Sequence, residues 1–253
     1  MEYLLIFLFG LIGGSFLNVV IFRLYEGEQF FFGRSKCRSC GQKLKARDLL
    51  PIVSFLLSGG KCRYCQKRIS WQYPAVELVT AVLFCVNYYF FTSGQFNAIE
   101  LIRNFILLAV LIVVFVYDLR WMLVSDLIAV PAIVIFFIFS LVLGRTLPDL
   151  LISLVIGFGF FALQYYLSSG KWLGAGDLRL GLLIGAIFAW PGVFAVLFVT
   201  YLIGGAVSVI LLLSGKAGRK TAVPLGVFIV PAILLVLFFG ERLINWYLAL
   251  LWF

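Results

Sequence analysis

Long apolar runs separated by short polar stretches dominate this chain. A helix needs about 20 apolar residues to cross a hydrocarbon layer of about 30 Å. Runs approaching or meeting that length stand at 4–22, 75–91, 101–117, 127–143, 150–167, 178–190, 193–213 and 222–239. The pattern predicts an all-α polytopic membrane protein with about eight transmembrane helices, the sixth short. The tail at 243–253 is too short to cross, and its Trp246, Tyr247 and Trp252 suit a membrane interface. A single polar stretch of about fifty residues, after the first run, breaks this periodicity and predicts a small domain between the first two helices.

Composition strengthens that picture. The 253 residues are 64% hydrophobic and 12% charged, with a mean hydropathy of +1.12, far from a soluble globular domain. The first run follows Glu2 and lacks a basic segment before it, which favours a retained helix over a cleaved signal peptide. With the N-terminus outside, the inner segments 23–74, 118–126, 168–179 and 214–221 hold 11, 1, 2 and 3 Lys or Arg of the 20 in the chain. The outer segments keep only Arg103, Arg145 and Arg242. The positive-inside rule therefore places the polar domain in the cytoplasm. The net charge of +9 becomes mainly a topological signal that also favours anionic lipid. Charges spread over short loops argue against a nucleic-acid partner.

The polar domain contains CRSC (Cys37, Cys40) and CRYC (Cys62, Cys65). Two Cys-x-x-Cys pairs at this separation can present four thiolates to one tetrahedral zinc ion. The alternative, two disulfides, conflicts with a reducing cytoplasm. So small a domain has little apolar core, so a structural zinc would supply much of its folding free energy. Cys85, inside the second run, reads as a buried small hydrophobe.

Of the 11 acids, Glu77, Asp118, Asp126 and Asp177 lie at inner ends of spans, where an ionisable group is expensive. Asp177 follows Gly174 and Gly176 in GAGD. It reads equally as a helix cap or as a chemical group, and the two glycines imply unusual dihedrals or close approach of another segment. Gly181 and Gly185 continue a small-residue stripe from Asp177 that suits tight helix packing. Asp118 closes the third run, where the helix dipole opposes a carboxylate, so capping explains it poorly. Asp126 after Ser125 is accounted for by N-capping, and Glu77 by a first helical turn after Pro74. Asp118 and Asp177 share one depth, although spacing alone does not bring them together. Two adjacent carboxyl groups would share a proton, one activating water while the other polarises a carbonyl. The chain has no His, which excludes Ser-His-Asp, Cys-His and HExxH chemistry.

At these residues the sequence resembles the type IV prepilin peptidases. GGSFLNVVIFRL at 13–24, the Cys37–Cys65 region with YPAVE closing at Glu77, DLRWMLVSD from Asp118, GAGD ending at Asp177 and VPLGVFIVPA at 223–232 carry the likeness. Two departures are VSD at 124–126, where Leu-Pro-Asp is common, and PLGVF at 224–228, where Pro-Phe-Gly-Pro-Phe is common. The resemblance implies an intramembrane aspartic endopeptidase of the bacterial inner membrane. Asp118 and Asp177 would be its catalytic pair, and Gly174 and Gly176 would belong to its active-site loop. It would remove the leader of prepilins or pseudopilins on the cytoplasmic side, with membrane lipid around it. The likeness further implies S-adenosylmethionine-dependent N-methylation of the new pilin terminus, supported by the four-Cys domain. Asp126 and Glu77 are secondary candidates.

The expected organisation is a first transmembrane helix at 1–22, a cytoplasmic zinc-binding domain at 23–74 and a transmembrane protease domain at 75–253. The substrate's apolar segment is expected beside the small-residue face of the sixth helix, with Glu26, Glu28 or Asp48 meeting its basic leader. Two rivals are a zinc-stabilised transporter that couples ions through its membrane acids and a methyltransferase without protease activity.

Overall fold

A computed structural model describes residues 1–30, 33–215 and 223–251. Among them the regular structure is helical, apart from two isolated antiparallel bridges, Lys36–Lys43 and Lys61–Arg68. The helices are α1 (Glu2–Glu26), α2 (Val53–Leu57), α3 (Gln72–Thr92), α4 (Ala98–Trp121), α5 (Asp126–Val142), α6 (Leu147–Leu167), α7 (Ala175–Ile187), α8 (Gly192–Leu213) and α9 (Gly226–Leu251).

Eight of these follow the eight apolar runs, and α2 lies in the polar segment. Five helices, α1, α3, α4, α6 and α8, are long and apolar enough to cross a membrane. The apolar helices at Asp126–Val142 and Gly226–Gly240 are shorter. At 13 residues, α7 spans about 20 Å. The run read as 178–190 starts earlier, at Ala175, and ends earlier, at Ile187, because Phe188 turns to extended backbone before Pro191. The basic residues Lys216, Arg219 and Lys220, and the interfacial Trp252, fall outside the described residues, as do the side chains of Trp246 and Tyr247.

The chain divides into two compact units, Met1–Val113 and Val114–Phe253, with the boundary inside α4. In the first unit, α1 packs on α3 through Gly10 and Gly14. A Cβ at Gly10 would lie 2.5 Å from Ala81 Cα, and one at Gly14 would lie 2.6 Å from Glu77 Cα. Small residues four apart let two backbones touch where lipid offers no hydrophobic drive to association. Buried Asn18 then joins the helices, its amide donating to the carbonyls of Gly14 and Tyr73 at 3.2 and 3.1 Å. Cys85 is half-buried and its thiol approaches the Tyr3 carbonyl at 3.7 Å. In the last turn of α1, buried Arg23 donates to the carbonyls of Gln29 and Arg34, fastening the start of the polar segment.

In the second unit the small-residue stripe of α7 meets α6. A Cβ at Gly181 would run into the Gly157 carbonyl and lie 2.6 Å from the Phe161 ring, and one at Gly185 would lie 2.7 Å from Leu154 Cα. The stripe is therefore covered by the protein's own α6. This corrects the expectation that the substrate's apolar segment lies along it. Ser140 of α5 secures the other side, donating to the Ala186 carbonyl at 2.8 Å. Gly181→Val should force α6 and α7 apart at a cost of about 1–3 kcal/mol or more, read as a lowered unfolding temperature in detergent.

Candidate active site and metal centre

The second unit holds Asp118 at the end of α4 and Asp177 at the start of α7, with Asp118 within the electrostatic reach of Asp177. Asp118 lies in the last turn of α4, which stops where Met122 adopts a left-handed φ of 53° and its N–H donates to the Asp118 carbonyl at 2.8 Å. Its own helix dipole disfavours a carboxylate there. Another helix compensates: the Val227 N–H in the first turn of α9 donates to Asp118 Oδ2 at 3.2 Å, with the Gly226 N–H also directed at this carboxyl. A helix N-terminus is a ready site for a negative group. Asp118 is only 4% exposed, so this support decides whether a charge can reside there.

Asp177 stands three residues into α7, after the N-cap Gly174, and its Oδ2 accepts the Gly174 N–H at 2.9 Å. It is half-buried. The capping and chemical readings are thus compatible, since Oδ2 closes the helix start. The Asp177 carboxyl lies within electrostatic reach of Asp118. Tyr201 of α8, whose hydroxyl donates to Gln164 Oε1 at 2.7 Å, lies within the field of Asp177.

The glycines before Asp177 have separate explanations. Neither has positive φ. Gly176 is a close approach, since a Cβ there would lie 2.9 Å from the Val124 side chain in the α4–α5 connection. Gly174 faces no such obstruction, its Cβ position lying 3.8 Å from Asp177 Oδ2.

Sequence reasoning missed Gly226 as a site residue. A Cβ there would lie 2.7 Å from Asp118 Oδ2, so its missing side chain makes room for the carboxylate at the start of α9. The signal was a Gly two residues after Pro224 at the start of an apolar run. Gly226→Ala should displace the Asp118 carboxyl from its seat, and any turnover that depends on that acid should fall about tenfold, with the unfolding temperature little changed.

Asp126 does not cap α5. Ser125 is the N-cap, and Asp126 in the first turn pairs with Arg179 at 2.8 Å, tying α5 to the α7 turn that carries Asp177. Glu77 is not in a first turn either, because α3 starts at Gln72. It is buried and accepts the Ile52 N–H at 2.7 Å. Ile52 has a φ of 59°, a costly conformation for a β-branched residue, so Glu77 holds a strained turn at the start of α2. Glu26 pairs with Arg38, Glu28 with Lys36 at 2.7 Å, and Asp48 with Arg63 at 3.5 Å and the Tyr64 hydroxyl at 3.0 Å. These three acids are neutralised within their own domain. The expectation that they meet a basic leader is withdrawn.

Cys37, Cys40, Cys62 and Cys65 converge, with their sulfurs all within 4.8 Å of one another. Zinc bonded to four sulfurs at about 2.3 Å sets them about 3.8 Å apart, so the cluster is compatible with zinc. The two halves repeat one backbone design. The Cys37 and Cys62 N–H groups donate to the carbonyls of Gln42 and Lys67, and their carbonyls accept from Gly41 and Gln66. Gly41 and Gln66 occupy equivalent left-handed positions, at φ 71° and 58°. Burial raises the Cys37 thiol, but the N–H groups of Cys40 and Ser39 and the neighbouring thiols outweigh it and lower its pKa to about 7. At Cys65 the Lys67 N–H pulls down, while burial and the other three thiols push its pKa up to about 11. Unequal thiols packed this closely suit a cation that takes up their shared negative charge.

Two carboxyl groups in electrostatic reach within a helical protein with five membrane-length helices among its described residues form a candidate acid site. Residues 8–91 match the Bacterial Peptidase A24 N-terminal domain, and residues 105–209 match the Type IV leader peptidase family. A Bacillus subtilis protein named prepilin leader peptidase/N-methyltransferase is 31% identical, over 97% of this chain and 98% of its own length. Proteins with the same name from Aeromonas salmonicida and Pseudomonas aeruginosa are each 29% identical, over 98% and 95% of this chain and 94% and 91% of their lengths. The chain belongs to the type IV leader peptidase family. No solved structure matches it. These relatives favour an enzyme over the transporter.

Proposed function

We propose that this enzyme cleaves the leader from type IV prepilins or pseudopilins with Asp118 and Asp177 as its catalytic pair. One ionised carboxylate takes a proton from water as the water oxygen attacks the scissile carbonyl carbon. The protonated partner polarises the carbonyl oxygen, and the proton taken from water passes to the leaving nitrogen as the adduct collapses, releasing the pilin amine and the leader's carboxylate. Gly174 and Gly176 shape the loop that presents Asp177, and Gly226 gives Asp118 its seat. The observation that supports this reading is two acids within electrostatic reach of each other, each with Oδ2 held by a backbone N–H.

The organisation that goes with it is a first transmembrane helix at 1–22, a four-Cys domain at 23–74 and a protease domain at 75–253. The chain lies in the bacterial inner membrane with the Cys domain and both acids towards the cytoplasm, an orientation that the distribution of basic residues supports. Zinc held by Cys37, Cys40, Cys62 and Cys65 supplies structure to a domain with few buried apolar side chains. Asp126 and Glu77 act by positioning α5–α7 and α2.

The relatives' shared name supports N-methylation of the new pilin terminus with S-adenosylmethionine as a second activity. A cavity of about 470 Å³ beside α2, lined by Phe55, Leu56, Gly59, Gly60, Lys61, Arg68, Ile69 and Trp71, does not fit that donor. It offers two cations and no carboxylate to a sulfonium and a ribose diol, so no step is assigned to it. Incubating the reconstituted protein with a prepilin and a methyl-labelled donor tests the function. A shortened, labelled pilin is expected, whereas label on an uncut prepilin would contradict the proteolytic reading.

A further inference from the structure

The segment at 49–57 belongs to no membrane-crossing helix, yet Leu49, Leu50, Val53, Leu56 and Leu57 are all exposed, with Leu57 at 74%. Trp71 nearby is also 74% exposed. Leaving apolar surface in water costs about 25 cal/mol per Å², and a concentrated patch of it marks a docking surface.

Three observations say what covers it. Trp71 is the N-cap residue of α3, a helix of membrane-crossing length, which sets this side chain at the interface where Trp is favoured. Phe55, the one buried side chain of α2, packs on Trp71 with ring centroids 4.9 Å apart, and Glu77 of α3 holds the Ile52 N–H. Helix α2 is thereby fixed at the depth of the start of α3. Exposed Lys61 and Arg68, joined by their antiparallel bridge, line the cavity beside Leu56 and Trp71. The segment 49–61 contains no acid, and Asp48 just before it faces Arg63 and Tyr64. An apolar surface bordered by cations and free of acids complements the headgroup–acyl boundary of an anionic leaflet.

We infer that α2, with its flanking leucines and Trp71, lies in that boundary as a foot that rests the four-Cys domain on the membrane. The leucines enter the acyl region, while Lys61 and Arg68 reach back to the phosphates. This rests on the chain being a membrane protein and is independent of the hydrolytic pair.

The test uses the full metal-loaded chain in vesicles of phosphatidylglycerol and phosphatidylethanolamine, with photoreactive benzoylphenylalanine replacing Leu57 or, as a control, Gln66 on the second knuckle. Retained protection of the four Cys from alkylation certifies the fold of each variant. After irradiation, lipid adducts should be at least about tenfold more abundant from position 57 than from position 66. Equal yields at the two positions would overturn the inference. So would position 57 joining a second copy of the chain or an added prepilin instead of lipid.

Discussion

Replacing Asp177 with Asn stops prepilin cleavage while the protein stays inserted and folded. The loss should be about 10³-fold or more in turnover, the scale on which acid–base groups contribute. The fold survives because an Asn side-chain oxygen can still accept the Gly174 N–H, which Asp177 Oδ2 now accepts at 2.9 Å. Asp118→Asn should behave alike, since the Val227 N–H that reaches Oδ2 at 3.2 Å needs only an oxygen acceptor. What both variants lose is the shared proton. Turnover of a purified prepilin in detergent, beside the unfolding temperature of each variant, checks this. A Asp177→Asn enzyme with full activity would reject the mechanism.

The second large effect comes from the metal centre. Stripping the metal with a chelator, or making Cys62→Ser at a position only 6% exposed, should unfold both knuckles. Structural zinc contributes apparent binding free energies of about 10–16 kcal/mol in comparable small domains. Phe55 is the only buried residue of the helical segments between Cys37 and Cys65, so little else holds that region. Methylation should disappear. Cleavage should fall far less, because Asp118 and Asp177 both belong to the unit Val114–Phe253. Zinc analysis, thiol accessibility and the two activities measured on one sample decide it. Equal loss of both activities would place the metal centre in the proteolytic step.

Much of this was legible in the sequence because strong physical constraints write themselves locally. A bilayer demands long apolar helices, and the runs at 4–22 and 193–213 emerged as α1 and α8. Four thiols need two short-range pairs, so CRSC and CRYC announced the cluster that now closes to within 4.8 Å. The acids at 118 and 177 were legible as anomalies of placement. Their electrostatic proximity was not, because it depends on where α4 and α7, nearly sixty residues apart in the chain, are placed by the fold. Nor was the seat of Asp118 at Gly226 and Val227, a contact 109 residues away.

Other misreadings have the same origin. Gly181 and Gly185 advertised tight packing correctly, but a stripe of small residues does not name its partner, and α6 had taken the place given to substrate. Asp126 looked like a cap until Arg179 was found beside it. Glu26, Glu28 and Asp48 looked available until the fold brought Arg38, Lys36 and Arg63 to them.

The central claim is that Asp118 and Asp177 act as one unit, and a double-mutant cycle on cleavage measures that directly. Groups that work through one shared proton are not additive, so Asp118→Asn/Asp177→Asn should be no slower than either single variant. If the two losses instead multiply, each acid acts on its own and the paired mechanism is wrong.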